Sequence, residues 1–445
     1  MFNREIISYL RKWQVKNARK PLVLRGARQV GKTSAVKLFA EQNFKDFIYI
    51  NMERGEDREI FSKVSSISDF EKTVELVLKK KIVAGDTLLF IDEIQNAPNL
   101  IELLRFFYEE RSDWHVVAAG SLLEVMLEKL GLTMPVGRIE YVYMHPLTFF
   151  EFLEVTGEEA LVDFLRKLKL DEMIPESVHL RAMKLFYDYT LIGGMPEAVA
   201  MFANKNSQEE INSLYSSLLT AYTEDIYKYA SSADVKYVQY VIERAPYFAG
   251  ERVIYEKFGT SQYRSREMSR AFDVLEKAMI VNRVAATNSI ELPIMTQGKR
   301  AKKILFLDSG FVNYKNNIQT EFLGLHDLSS LYRGRIAEQI VGQNLLAMNI
   351  HSEQSLSYWA KDRQDGSAEV DFCFAAKGKI VGVEVKSGHS ARLKSLFSFS
   401  ENIKNNKSIR IYDGPVNQEQ IVYAGKKYNI LSLPFYLVNR VVDFC

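Results

Sequence analysis

Cysteine is nearly missing from these 445 residues: only Cys373 and Cys445 occur, far apart, and neither has a His or a second Cys at metal-ligand spacing. That scarcity argues against a disulfide framework and against a zinc site. Long apolar runs are also lacking, since LVLRGARQVG and TLLFIDEI are cut short by charge or glycine well before the roughly 20 residues a membrane helix needs. The N-terminal MFNREIISYLRKW interleaves charges with its apolar positions, unlike a secretory leader. A cytoplasmic protein with no membrane partner is the expectation. Excess charge of one sign is absent too, because 58 Lys and Arg against 56 Asp and Glu leave a formal net charge of +2. No global field advertises nucleic acid, so any such partner must meet a local patch. Internal repeats and low-complexity segments do not occur.

What is present reads as α/β. At this length one hydrophobic core does not suffice, and several domains are expected. Between residues 20 and 145, short apolar runs (Pro21–Leu24, Phe47–Asn51, Thr87–Ile91, His115–Ala119) alternate with amphipathic segments (Thr33–Gln42, Asp69–Lys81, Pro98–Glu110). This is the pattern of a parallel sheet covered by helices. From Leu147 to Ala286 the text is helical. Three short helical patterns, Val235–Ala245, Glu251–Phe258 and Ser265–Lys277, precede the β-prone MIVNRVAA and IELPIM. They describe either a winged helix or a helical bundle ending in a hairpin. After Lys302 mixed α/β returns, with helix Gly334–Met348, strands Leu356–Ala360, Glu369–Ala375 and Lys379–Lys386, helix Ala391–Asn402 and a last strand Ser408–Tyr412. The expected boundaries are 1–150, a P-loop domain; 151–234, a helical lid or linker; 235–300, the winged-helix-like part; and 301–445, a terminal α/β domain.

The most specific motif is Gly26-Ala27-Arg28-Gln29-Val30-Gly31-Lys32-Thr33, G-x-x-x-x-G-K-[ST] between a strand and a helix, continued by Ser34. Glycines let the backbone curl until successive N–H groups face phosphate oxygens, and the helix start adds its partial positive charge. Lys32 is expected at the β- and γ-phosphates of ATP, and the Thr33 hydroxyl on Mg²⁺. Leu88-Leu89-Phe90-Ile91-Asp92-Glu93 delivers two carboxylates at a strand's C-terminal end, where open α/β sheets bind ligands. Asp92 is expected to hold Mg²⁺ and Glu93 to polarise the attacking water. Ser121, after His115–Ala119 and Gly120, is either a γ-phosphate sensor or a helix N-cap. Arg138 is either a surface arginine or a neutraliser of transition-state charge, from its own or a neighbouring subunit.

Together with Gly193-Gly194-Met195-Pro196-Glu197, Leu307-Asp308-Ser309-Gly310, Gly334 to Glu338 and Glu384-Val385-Lys386, these residues resemble a group of prokaryotic AAA+ ATPases. Its members join an N-terminal AAA domain to a C-terminal domain of unknown function, and they are related to archaeal-type ATPases of the STAND kind. The resemblance spans nearly the whole chain and implies a AAA+ core with a parallel sheet, a winged helix and a restriction-endonuclease-like terminal domain. Near the C-terminus, Glu338, Asp371, Glu384 and Lys386 resemble the PD-(D/E)XK nuclease core, in which acids bind Mg²⁺ and a lysine orients the attacking water. A surface-strand salt bridge is the alternative for them. His389, Arg392, Lys394, Lys404, Lys407 and Arg410 add basic character, facing either phosphates or solvent. Tyr358 and Trp359 read as core. The expected ligands are ATP and Mg²⁺, with DNA, a protein or a second copy of the chain as candidate partners. Two outputs are open: DNA processing by the terminal domain, or a regulatory scaffold that binds without cleaving.

Overall fold

The computed structural model describes residues 2–131, 133–318, 334–350, 356–361, 368–386 and 393–445, without the side chains of 228 and 229. His389 and Arg392 lie outside the described residues. The chain divides into two units, the first built mainly on Met1–His145 and the second on Pro146–Glu276, Ile280–Asn349 and the C-terminal segment.

In the first unit, five short strands are β1 (Leu22–Arg25), β2 (Asp46–Asn51), β3 (Thr87–Asp92), β4 (His115–Gly120) and β5 (Glu140–Tyr143). All their pairings are parallel, in the order β2-β3-β4-β1-β5. β1, β3 and β4 are buried along their whole length, as expected of strands covered on both faces, and this is why they read as unbroken apolar runs. The helices Lys32–Asn43, Ile67–Leu76 and Pro98–Glu110 fall where apolar residues recur three and four apart. One core packs Val23, Ile50, Leu89, Ile91 and Val116 against Phe61, Phe70, Leu104 and Phe107. Parallel register sets the C-terminal tips side by side: Arg25 opposite Gly120, and Asn51 opposite Asp92. Everything following those tips is delivered to one edge of the sheet. This parallel five-stranded sheet with its helices is the P-loop AAA+ type of α/β fold.

The second unit begins with helices Phe149–Val155, Glu159–Lys167, Glu176–Ile192, Pro196–Ala203 and Gln208–Tyr229. Two of them start in capping boxes, Thr148 with Glu151 and Ser207 with Glu210, each satisfying two otherwise unpaired N–H groups. A nine-stranded mixed sheet follows. Its strands are β6 (Arg252–Val253), β7 (Val281–Thr287), β8 (Lys302–Phe306), β9 (Ser357–Ala360), β10 (Glu369–Ala376), β11 (Lys379–Val385), β12 (Asn406–Tyr412), β13 (Asn417–Tyr423) and β14 (Lys426–Pro434). The order is β13-β14-β12-β11-β10-β9-β7-β8-β6. One face carries Val284, Leu305, Phe372, Val383, Ile409 and Leu433 in a core shared with Phe149, Phe186, Ile340 and Phe435. The other face packs Trp359, Val370 and Ile380 on Leu396 and Phe399 of helix Lys394–Asn402. Tyr358 and Trp359 are indeed core.

Three expectations fail here. Glu251–Phe258 is not a helix: it holds β6 and leads into the turn Phe258–Thr260, where Lys257, Gly259 and Thr260 all take left-handed backbone. IELPIM is not a strand. β7 instead pairs antiparallel with β8, with Val281 opposite Phe306, and in parallel with β9. Ser408–Tyr412 is not the last strand, because the hairpin of β13 and β14 follows it.

A fully buried carboxylate, Asp308, ties the second unit together. Its Oδ1 accepts from Gly194 N at 2.6 Å and Gln343 Nε2 at 2.8 Å, and its Oδ2 from Gly310 N at 3.0 Å and the Tyr215 hydroxyl at 3.1 Å. Four donors from four segments converge on one side chain, which explains why Gly193-Gly194 and Asp308-Ser309-Gly310 stand out in the sequence.

Candidate nucleotide site

β1 ends at Arg25, and the loop from Gly26 to Gly31 turns straight into helix Lys32–Asn43. Gly26 leaves no room for a side chain, since a Cβ there would lie 2.4 Å from the Met144 carbonyl oxygen. Gly31 adopts φ 96°, which only glycine takes without strain. Gln29 also has positive φ, at 62°. Arg4 braces the loop from beneath: one guanidinium nitrogen donates to Val30 O at 2.8 Å and the other to His145 O at 2.7 Å. Ala27 and Val30 are buried, whereas Arg28 reaches Glu53 at 3.4 Å near the surface.

Lys32 is buried, and its Nζ donates to the carbonyls of Gly26 and Ala27, each at 2.9 Å. Burial pulls its pKa down to about 8, against the nearby carboxylates of Glu93 and Asp92. The ammonium is thus held by the carbonyls of its own loop. Thr33 Oγ1 donates to Asp92 Oδ2 at 2.7 Å, and the Tyr49 hydroxyl reaches the same oxygen at 3.2 Å. Desolvation raises the Asp92 pKa, and the Thr33 hydrogen bond opposes it. A hydroxyl and a carboxylate meeting at the mouth of a phosphate loop form the oxygen-donor pair that Mg²⁺ prefers, so the residues fit the ion.

Glu93 follows immediately, in left-handed backbone at φ 52°. Its Oε2 accepts from Gln95 Nε2 and lies 3.5 Å from Ser121 Oγ. The helix after Ser121 begins at Leu123 with Leu122 as N-cap and no side-chain cap, so Ser121 is not a capping residue. The structure thus gathers Lys32, Thr33, Asp92, Glu93 and Ser121 at one sheet edge, with Ser34 in the first turn of the helix. Arg138 is not among them: it pairs with Glu109 at 2.8 Å and lies over the Tyr108 ring on the surface. The contributions of Arg4, Tyr49 and Gln95 were not read from the sequence. Gln95 alone lies within the motif's reach.

The C-terminal acids occupy the second unit. Lys386 Nζ meets Glu384 Oε1 at 2.6 Å, and Asp371 Oδ2 accepts from Val385 N at 2.9 Å. A residue absent from the sequence reading, Lys303 on β8, reaches between the others: its buried Nζ bonds Glu338 Oε2 and lies 3.4 Å from Asp371 Oδ1. Burial drives Glu338 and Glu384 above the ordinary carboxylate range, with Asp371 adding to it. Among the described residues, no group of three or more His, Cys, Asp or Glu is placed to hold a metal ion. The Lys303 ammonium fills the space between two of the acids expected as ligands. Of the basic group, Lys394 and Lys404 are exposed, whereas Arg410 is buried beside Ser432. No helix among the described residues is long and apolar enough to cross a membrane.

An AAA domain family model matches residues 18–153. A domain of unknown function (DUF8612) matches residues 183–321, and another (DUF4143) residues 333–436. Similar solved structures include the RuvB Holliday junction branch migration motor of Thermotoga maritima, 16% identical, covering 67% of this chain and 93% of that one at a TM-score of 0.30. The Aeropyrum pernix ORC1 protein, solved in complex with DNA, is 13% identical over 72% of this chain and 91% of its own, with a TM-score of 0.29. PCH-2 of C. elegans is 13% identical, covering 44% and 59%, at 0.26. No curated protein matches the sequence. With a phosphate loop on a parallel five-stranded sheet, residues 18–153 belong to the AAA domain family, and they are joined in this chain to a C-terminal domain of unknown function, DUF4143, over residues 333–436.

Proposed function

We propose that the chain is a Mg²⁺-dependent ATP hydrolase whose nucleotide state switches the second unit between forms that do and do not engage DNA. The observation that carries the hydrolase reading is the 2.7 Å contact between Thr33 Oγ1 and Asp92 Oδ2, next to the buried Lys32 ammonium. In this reading the backbone of residues 26–34 cradles the phosphates, Lys32 neutralises the β- and γ-oxygens, and Thr33 and Asp92 hold the ion. Bound Mg²⁺ supplies charge neutralisation on the phosphate oxygens. Glu93 orients and deprotonates the attacking water, and Ser121 lines the γ-phosphate side. Arg138, at the surface with Glu109, acts on the site of a neighbouring copy. The protein works in the cytoplasm.

For the second unit we assign helices Val235–Arg244 and Ser265–Lys277 with the β7–β8 hairpin to a winged-helix-like DNA reader, and the sheet beyond to a PD-(D/E)XK-like domain. The Lys303 ammonium between Glu338 and Asp371 favours a terminal domain that binds its partner without cutting it. Nucleotide binding and turnover test the first reading. Lys32→Ala is expected to abolish ADP binding. Glu93→Gln is expected to bind ATP normally while kcat falls about 100-fold or more; normal turnover would refute Glu93 as base. Plasmid nicking with Mg²⁺ that disappears in Glu384→Ala would overturn the non-cleaving reading, and ATPase stimulation by single- or double-stranded DNA tests the DNA partner.

A further inference from the structure

Gln95 takes no part in the chemistry above, yet it is 2% exposed and sits on the single turn Ile94–Asn96 that follows Glu93. Its Nε2 donates to Glu93 Oε2 at 2.5 Å, the same oxygen that Ser121 Oγ approaches at 3.5 Å. Its own carbonyl oxygen, Oε1, is buried with no hydrogen-bond partner. An amide with its donor used and its acceptor stranded has been oriented by the carboxylate, because turning it over would set an acceptor against an anion. Oε1 is seated on Gly120 at the tip of β4, where a Cβ would lie 2.4 Å from it. The missing side chain at Gly120 is what admits the Gln95 amide. Among the described residues no donor reaches the other Glu93 oxygen, Oε1.

We infer that Gln95 is the positioning residue for Glu93: it tethers one carboxylate oxygen so that the other is presented to the attacking water, with Gly120 as the space it requires. This rests on Glu93 being the base. A carboxylate on a short side chain swings freely about its last torsion, which is broad and roughly two-fold, so without a tether the productive orientation is only one of several.

The test measures ATPase kcat and KM together with ADP affinity in Gln95→Met, Gln95→Glu, Gly120→Ala and Glu93→Gln. Gln95→Met is expected to lower kcat about 10- to 100-fold, part of what a general base contributes, with KM and ADP affinity within about twofold of wild type. Gln95→Glu, nearly the same shape but with no amide donor and a like charge beside Glu93, is expected to fall at least as far, and it serves if methionine disturbs the packing. Gly120→Ala should mimic Gln95→Met. Placed on Glu93→Gln, Gln95→Met should cost nothing further, since two residues acting as a unit are not additive. Unchanged kcat in Gln95→Met, or loss of ADP binding in step with turnover, overturns the inference while leaving Glu93 in place if Glu93→Gln is inactive. Normal turnover in Glu93→Gln instead removes the reading beneath it.

Discussion

Lys303 illustrates how one side chain can decide the character of a cluster. Its ammonium is 3% exposed and lies against Glu338 and Asp371, and those carboxylates raise its pKa against the desolvation that opposes them. Removing one member of a buried ion pair leaves the other charges without compensation, typically at about 3–5 kcal/mol. Lys303→Met is therefore expected to lower the unfolding free energy of the second unit by about 3 kcal/mol in a urea titration. If the three acids bind a divalent ion, the same variant should instead be rescued by millimolar Mg²⁺. Lys303 escaped the sequence reading because it stands 35 residues from Glu338 and 68 from Asp371, with no motif around it. The phosphate loop was legible because its chemistry lies within one contiguous octapeptide. Arg4 was illegible for the same reason as Lys303: its two acceptors are 26 and 141 residues away.

At the level of elements, Asp308 connects the Gly193-Gly194 turn, the long helix bearing Tyr215, the helix bearing Gln343 and the start of helix Ser309–Lys315. Burial raises its pKa from 3.8 to about 6, although four hydrogen bonds oppose the shift. The folded carboxyl therefore binds its proton more tightly than the unfolded one. Its contribution to stability is present in full below about pH 4 and is lost as pH rises through 6, on the order of 3 kcal/mol at 1.36 kcal/mol per unit. Unfolding free energies of wild type relative to Asp308→Asn, measured from pH 4 to 7, should fall across that window. A flat difference would show that the network holds a carboxylate as readily as an acid. The elements themselves were mostly legible, since apolar runs gave β1 to β4 to within one residue and the helix Pro98–Glu110 without error. The failures have local causes. Glu251–Phe258 has helical spacing, but pairing of Arg252 and Val253 with β8 and the left-handed turn at Lys257 prevail. β13 was missed because, as an edge strand, it is exposed along most of NQEQIVY and shows no apolar run.

Across the whole molecule, the two units keep separate cores, one around Val23, Leu89 and Phe107 and the other around Phe186, Phe372 and Leu433. A ligand that binds only the folded first unit stabilises that unit by RT ln(1 + [L]/Kd), about 2.7 kcal/mol at 100 times Kd. Calorimetry with saturating ADP should therefore move the transition of residues 1–145 and not that of the second unit, and Lys32→Ala should abolish the movement. A single transition displaced as a whole would show the units to be one cooperative body. The nine-stranded sheet has a further consequence for anyone dividing the gene. Because β7 and β8 hydrogen-bond to each other from opposite sides of position 300, and β9 joins β7 in parallel, a cut in the loop between them separates no self-sufficient piece. Each half would carry a raw hydrogen-bonding border and an uncovered greasy face, so the halves should precipitate when made alone and reassemble when made together.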